Sequence, residues 1–166
     1  CIRCMSGYSL HSVQNSLLNG FLTLPGGHRA GIIGNVAWEK EEITAVRRID
    51  SINLRIARQV LGAADKLCSH YRKYGIGGTL IVGPPASGKT TVLKDLCRQF
   101  SNGMIGESKK VSLIDERGEI AAVYNGQPQN DVGWNTDVFD GYSKQIGIDI
   151  AIRCMSPDVI ICDEIG

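Results

Sequence analysis

The stretch that decides the fold is Gly83-Pro84-Pro85-Ala86-Ser87-Gly88-Lys89-Thr90, followed by Thr91. It matches G-x-x-x-x-G-K-[ST] at every fixed position. Thr79-Leu80-Ile81-Val82 precedes it and reads as a strand. Val92, Leu93, Leu96, Cys97 and Phe100 follow at helical spacing, which predicts a helix over 88–100. Strand, glycine-rich loop and helix together form a phosphate cradle. Gly83 and Gly88 permit the tight turn that aims backbone N–H groups inward, and the helix adds its positive end. Lys89 supplies a cation for the β- and γ-phosphates of ATP, and the Thr90 hydroxyl is placed to ligate Mg2+.

A second acidic signal lies near the end of the chain. Val159-Ile160-Ile161-Cys162 is a continuous apolar run, the pattern of a central parallel strand covered on both faces. Asp163 and Glu164 follow it directly. This is the Walker B arrangement: Asp163 for the metal, Glu164 to orient and deprotonate an attacking water. An adjacent Asp-Glu pair points to hydrolysis rather than to nucleotide binding alone.

Asp115-Glu116-Arg117 closes another predicted strand, 110–114. Strand ends of a parallel sheet open onto one crevice, so Asp115 and Glu116 are expected beside the site, with Glu119 a weaker candidate. Arg117 is read either as a partner of those acids or as a phosphate contact. Arg153, just before the Walker B strand, fits a nucleotide or subunit contact as well as a helix-end cation. Transition-state charge on the γ-phosphate calls for a further cation. Arg29, Arg55 and Arg58 are the candidates for an arginine finger, acting in cis or from a neighbouring subunit.

The first half of the chain is organised differently. Residues 9–19 carry one apolar helical face. The stretch 21–36 reads as a hairpin turning at Pro25-Gly26-Gly27, 39–42 as a solvated turn, and 43–49 and 51–56 as further strands. A helix is expected over 57–74, ended by Gly75. The period and composition shift at 75–78 predicts a small α+β domain over 1–76 and an α/β domain with a parallel sheet over 77–166. Residues 124–143 are rich in Asn, Asp, Gly and Gln and read as one long ordered loop. Residues 143–155 fit a helix or an alternating strand equally well.

Composition excludes several classes. Hydrophobic residues make up 43% and charged residues 21%, which excludes a disordered chain. The net charge of +1 gives no global bias towards nucleic acid, although 47–73 is locally basic and fits a nucleic-acid surface, a neighbour's nucleotide or a solvated face. No run of eighteen apolar residues and no signal peptide is read in the sequence. Of the 6 Cys, Cys68, Cys97, Cys154 and Cys162 are expected as small buried hydrophobes. Cys1 and Cys4 have C-x-x-C spacing without a completing pair. The chain starts at Cys1 and stops at Gly166, directly after an expected core strand, so both ends read as cut or as continued by disordered parts.

The chain resembles the stage III sporulation protein AA family of endospore-forming bacteria. The likeness rests on Gly20-Phe-Leu-Thr-Leu-Pro-Gly-Gly-His-Arg29, Ser51-Ile-Asn-Leu-Arg-Ile-Ala-Arg58, the phosphate loop, Ile114-Asp-Glu-Arg117, Pro128-Gln-Asn-Asp-Val-Gly133, Thr136-Asp-Val-Phe-Asp-Gly141 and the stretch from Arg153 to Gly166. That family is in turn similar to the type II and type IV secretion ATPases. Those have an N-terminal domain that offers arginines to the nucleotide and a RecA-like P-loop core, and they assemble as hexameric rings. Their acidic box falls on Asp115-Glu116, and the Arg and Pro-Asp before their Walker B strand fall on Arg153 and Pro157-Asp158. One departure is the Asp163-Glu164 pair, where many of them carry Gly-Glu. The resemblance implies a cytoplasmic, oligomeric, Mg2+-dependent ATPase on the mother-cell side of the developing spore, working with membrane-embedded partners in a channel-like complex. It also implies that the C-terminal part of the core lies beyond this sequence. An ATP-dependent protein of single-stranded nucleic acid and an assembly scaffold switched by ATP occupancy are the competing expectations.

Overall fold

A computed structural model describes residues 18, 20–39 and 42–164. Most of the expected helix over 9–19, the Cys1/Cys4 pair, residues 40–41 of the expected turn, and Ile165-Gly166 lie outside the described residues. Close contacts divide the chain into two units, 1–57 with 124–127, and 58–123 with 128–166.

In the first unit, β1 (Phe21–Thr23), β2 (Arg29–Glu39) and β3 (Glu42–Arg55) form an antiparallel sheet in that order. The expected hairpin is present, with a short 3-10 turn at Pro25–Gly27 whose Gly26 takes a left-handed φ of 79°. Leu22, Ala30 and Ile32 are buried on one face, with Leu24 and Ile52 packed against them. The two strands expected over 43–49 and 51–56 are one continuous β3. Three register shifts against β2 let it run on, one of them at Ile33/Gly34. There the chains approach so closely that a Cβ on Gly34 would overlap the Arg48 carbonyl.

The second unit contains α1 (Asp65–Tyr74), α2 (Lys89–Ser101), β4 (Val111–Asp115), β5 (Thr136–Asp140), α3 (Lys144–Ile150) and β6 (Val159–Cys162). Its parallel sheet has the order β5-β4-β6, so the chain is mixed α/β as expected. Ala64, Cys68 and Tyr71 share one core with Leu96, Cys97, Phe100, Val111, Leu113 and Ile161. This packing places α1 in the second unit, so the division falls after Ala57 rather than near 75–78. Burying each large apolar side chain contributes roughly 1.5–3 kcal/mol.

Several expectations are corrected. The helix expected over 57–74 begins only at Asp65. Gly62 takes a φ of 82°, and the Ala64 N–H donates to the Asp95 carboxylate at 2.9 Å instead of entering a helical ladder. Gly75 closes the helix as expected, with a φ of 86°. The expected long loop over 124–143 contains β5, in which only Val138 and Phe139 are apolar, so no period marks it among its polar neighbours. The ambiguous stretch 143–155 is helical, α3 continuing into a π turn at Ala151–Met155, because Gly147 lets it seat directly on Ile114 of β4. Cys154 is exposed on that turn, not buried. The basic stretch over 47–73 is split between the two units.

The segment 79–82 is not a strand. Leu80 is 67% and Val82 82% exposed, and no strand pairs with them among the described residues. The central strand of the sheet is β4, while β6 stands at its edge. Between β6 and residues 76–81 lies a cavity of about 460 Å³, floored by Tyr71, Leu93, Leu96 and Phe100. Without a hydrogen-bonded neighbour, four apolar residues do not hold a strand.

Candidate functional site

The site includes Lys89, Asp163 and Glu164, which all line that cavity. Helix α2 starts at Lys89 behind Gly88, which takes a left-handed φ of 90° and carries no side-chain cap. The first N–H groups of a helix have no partner inside it, so this turn presents uncapped donors and a positive dipole end. Ala86 adds a second left-handed residue to the loop, with a φ of 59°. Residues 84–87 are exposed.

The Lys89 ammonium folds back over its own loop and donates to the carbonyls of Gly83 and Pro84, both at 2.9 Å. In that position it closes the loop on itself. A phosphate would replace two neutral acceptors with charged ones, which makes stronger hydrogen bonds.

Thr90 and Asp163 come together from 73 positions apart: the Thr90 hydroxyl donates to Asp163 Oδ2 at 3.2 Å. One hydroxyl and one carboxylate are hard oxygen donors, the set that suits Mg2+, which takes few protein ligands beside phosphate and water oxygens. No cluster of three or more His, Cys, Asp or Glu able to hold a metal occurs among the described residues. The two-oxygen set would be compatible with Mg2+ beside a nucleotide.

Glu164 is exposed at the end of β6, in a left-handed conformation with a φ of 48°. Its Oε2 lies 2.9 Å from Nη1 of Arg117. The sequence left Arg117 between its own neighbouring acids and a phosphate; the structure pairs it with Glu164.

The acidic pair 115–116 serves the scaffold around the site. Asp115 is 1% exposed, and its carboxylate accepts from the N–H groups of Glu119, Ile120 and Ala121 at 2.8–3.1 Å. These bonds fold the turn after β4 and leave the carboxylate no open face. Glu116 pairs with Lys144 at the start of α3 at 2.7 Å, which holds its carboxyl below the ordinary range. Asp140 ends β5 directly beside Asp115. Burial, then the Asp115 charge, pushes its carboxyl up. Asp158 ties β6 to β4 by accepting from the Lys110 N–H at 2.8 Å, which gives the Pro157-Asp158 pair a structural task.

The candidate arginines are divided. Arg29 and Arg55 lie in the first unit as direct cross-strand neighbours on β2 and β3, and Arg29 stacks 4.0 Å over the Phe21 ring. Arg58 belongs to the second unit, and Arg153 is exposed on the π turn. A buried network missed by the sequence reading lies on α2. Asp95 accepts from Ala64, Arg98 and Gln99 at 2.6–3.0 Å, and Gln99 also bonds Asp65. No motif marks it; it emerges only when α1 and α2 pack.

The fold and site define a mixed α/β chain that brings a Gly-rich, lysine-bearing loop against the acidic end of a parallel sheet. The family model for sporulation stage III, protein AA matches residues 1–166, and the chain belongs to that family. It is similar to the "Stage III sporulation protein AA" of Bacillus subtilis (strain 168), at 43% identity over 163 residues. That alignment covers 98% of this chain and 53% of the relative, so the chain spans about half the relative's length. No solved structure matches. Among the described residues no helix is long and apolar enough to cross a membrane.

Proposed function

We propose that the chain carries the nucleotide site of a RecA-like P-loop ATPase, an oligomeric motor working during endospore formation. The observation that carries this reading is the meeting of Thr90 and Asp163 at 3.2 Å, behind a complete phosphate-loop motif. Gly83–Thr91 and the start of α2 would hold the phosphates of ATP. Lys89 leaves its loop carbonyls and binds the β- and γ-phosphates. Thr90 and Asp163 would hold Mg2+, which when bound would supply positive charge to offset that of the phosphates. Glu164 takes the proton of the attacking water.

The resemblance to the secretion ATPases extends the proposal to a hexameric ring on the mother-cell side, coupled to membrane-embedded partners of a channel-like complex. In such a ring, Arg29 and Arg55 offer guanidinium groups to a nucleotide. Their register as direct neighbours on one sheet face supports treating them as a pair. Arg58 is the third candidate, carried on the other unit.

The test is steady-state phosphate release by the intact protein across a wide range of protein concentration. Glu164→Gln is expected to lower turnover by about 100-fold or more while ATP still binds. Activity per chain is expected to rise with concentration. Turnover unaffected by Glu164→Gln refutes the hydrolytic assignment. Activity per chain that stays flat refutes a site shared between subunits.

A further inference from the structure

Arg117 stands in a turn whose neighbours are all fixed. Asp115 holds the backbone of Glu119, Ile120 and Ala121, and its carbonyl accepts from the Gly118 N–H at 3.2 Å. Gly118 takes a left-handed φ of 61°, a conformation that favours glycine. Glu116 is anchored to Lys144 on α3. From this rigid base the Arg117 side chain crosses the end of the sheet and ends on Glu164 Oε2. Glu164 in turn follows Asp163, the residue that meets Thr90 of the phosphate loop.

The Arg117 and Glu164 side chains are 64% and 55% exposed. A pair so open to water is worth little and is readily exchanged. A terminal phosphate bound at Lys89 and Thr90 would bring into reach an acceptor with more charge and more oxygens than one carboxylate, and a guanidinium fork suits it. The left-handed backbone of Glu164 is a second sign that the resting arrangement is held by its surroundings rather than by local preference.

We propose that Arg117 is a positioning residue that holds Glu164 in the nucleotide-free site and transfers to the terminal phosphate of bound ATP, freeing Glu164 for the water. This deepens the ATPase reading and rests on it. The consequence is a site that distinguishes ATP from ADP: only the triphosphate draws Arg117 away from Glu164.

The experiment compares binding of ADP and of a non-hydrolysable ATP analogue, both with Mg2+, to the intact protein and to its Arg117→Ala and Arg117→Lys variants. Arg117→Ala is expected to leave ADP affinity unchanged and to cut the preference for the ATP analogue by about tenfold, the scale of one charged hydrogen bond. Arg117→Lys is expected to restore part of that preference. Hydrolysis by Arg117→Ala should show a raised KM for ATP that tracks the lost analogue affinity. Unchanged affinity for both nucleotides overturns the proposal and leaves a surface ion pair. An equal loss for both assigns Arg117 to holding the loop and overturns it as well. Failure of the unmodified protein to bind either nucleotide, with a Lys89→Ala control equally silent, sinks the ATPase reading itself. That outcome is distinct from a failure confined to Arg117.

Discussion

At the scale of single residues, two carboxylates of similar sequence context have opposite fates. Asp163 ends its strand half-buried, with one oxygen on Thr90 and the other accepting from the Glu164 N–H at 3.1 Å. Asp115 ends the neighbouring strand at 1% exposure, with both oxygens occupied by three backbone donors. Asp115→Ala would strand those N–H groups in a buried turn, each loss costing about 1–3 kcal/mol. The expected outcome is a clear drop in unfolding free energy, with faster hydrogen exchange at residues 119–121. A variant of unchanged stability and protection that loses only turnover would instead place Asp115 in the chemistry. The acidic pair was legible as a strand end facing the crevice. Its assignment to the backbone was not, because a carboxylate's partners depend on how the following turn folds back.

At the scale of elements, the start of α1 is fixed by α2. Asp95 is fully buried, receives the Ala64 N–H just before α1, and pairs with Arg98, itself 8% exposed. Burial works to raise its carboxyl, but hydrogen bonds from Ala64, Arg98 and Gln99 prevail and hold it below its ordinary value of 3.8. A carboxyl depressed by folding contributes stability that is fully present above pH 3.8. That contribution is lost as pH falls through the lower folded value. Asp95→Asn is therefore expected to flatten the loss of stability below about pH 4, read from denaturant melts across pH. Asp95→Ala is expected to cost about 3–5 kcal/mol, since it leaves Arg98 buried without its carboxylate. The helix beginning at 57 in the sequence reading fails here for the same reason. Apolar spacing alone does not register that a distant carboxylate captures a helix-entry N–H and that Gly62 turns the chain first.

At the scale of the whole molecule, the thiols report the packing of the second unit. Cys68 and Cys97 are fully buried in its core, and burial pushes them up to about 11 and about 12. Cys154 is exposed on the π turn. Brief alkylation near neutral pH, followed by peptide mapping, is expected to label Cys154 in the native protein. Cys68 and Cys97 should be labelled only after denaturation. Equal native labelling of all three would contradict the core described above. The sequence by itself determined the glycine-rich loop, the helix behind it, the Asp163-Glu164 strand end, the first hairpin and the mixed α/β class. Each is written in local period, turn chemistry or fixed spacing, which need no distant partner to be recognised. Tertiary structure decided that Thr90 meets Asp163, that Arg117 pairs with Glu164, that Asp115 is consumed by its own turn, that β5 lies within a polar stretch, and that 79–82 is not a strand. Those outcomes depend on which groups packing brings within about 3 Å, and on whether a neighbouring strand is present to complete a ladder.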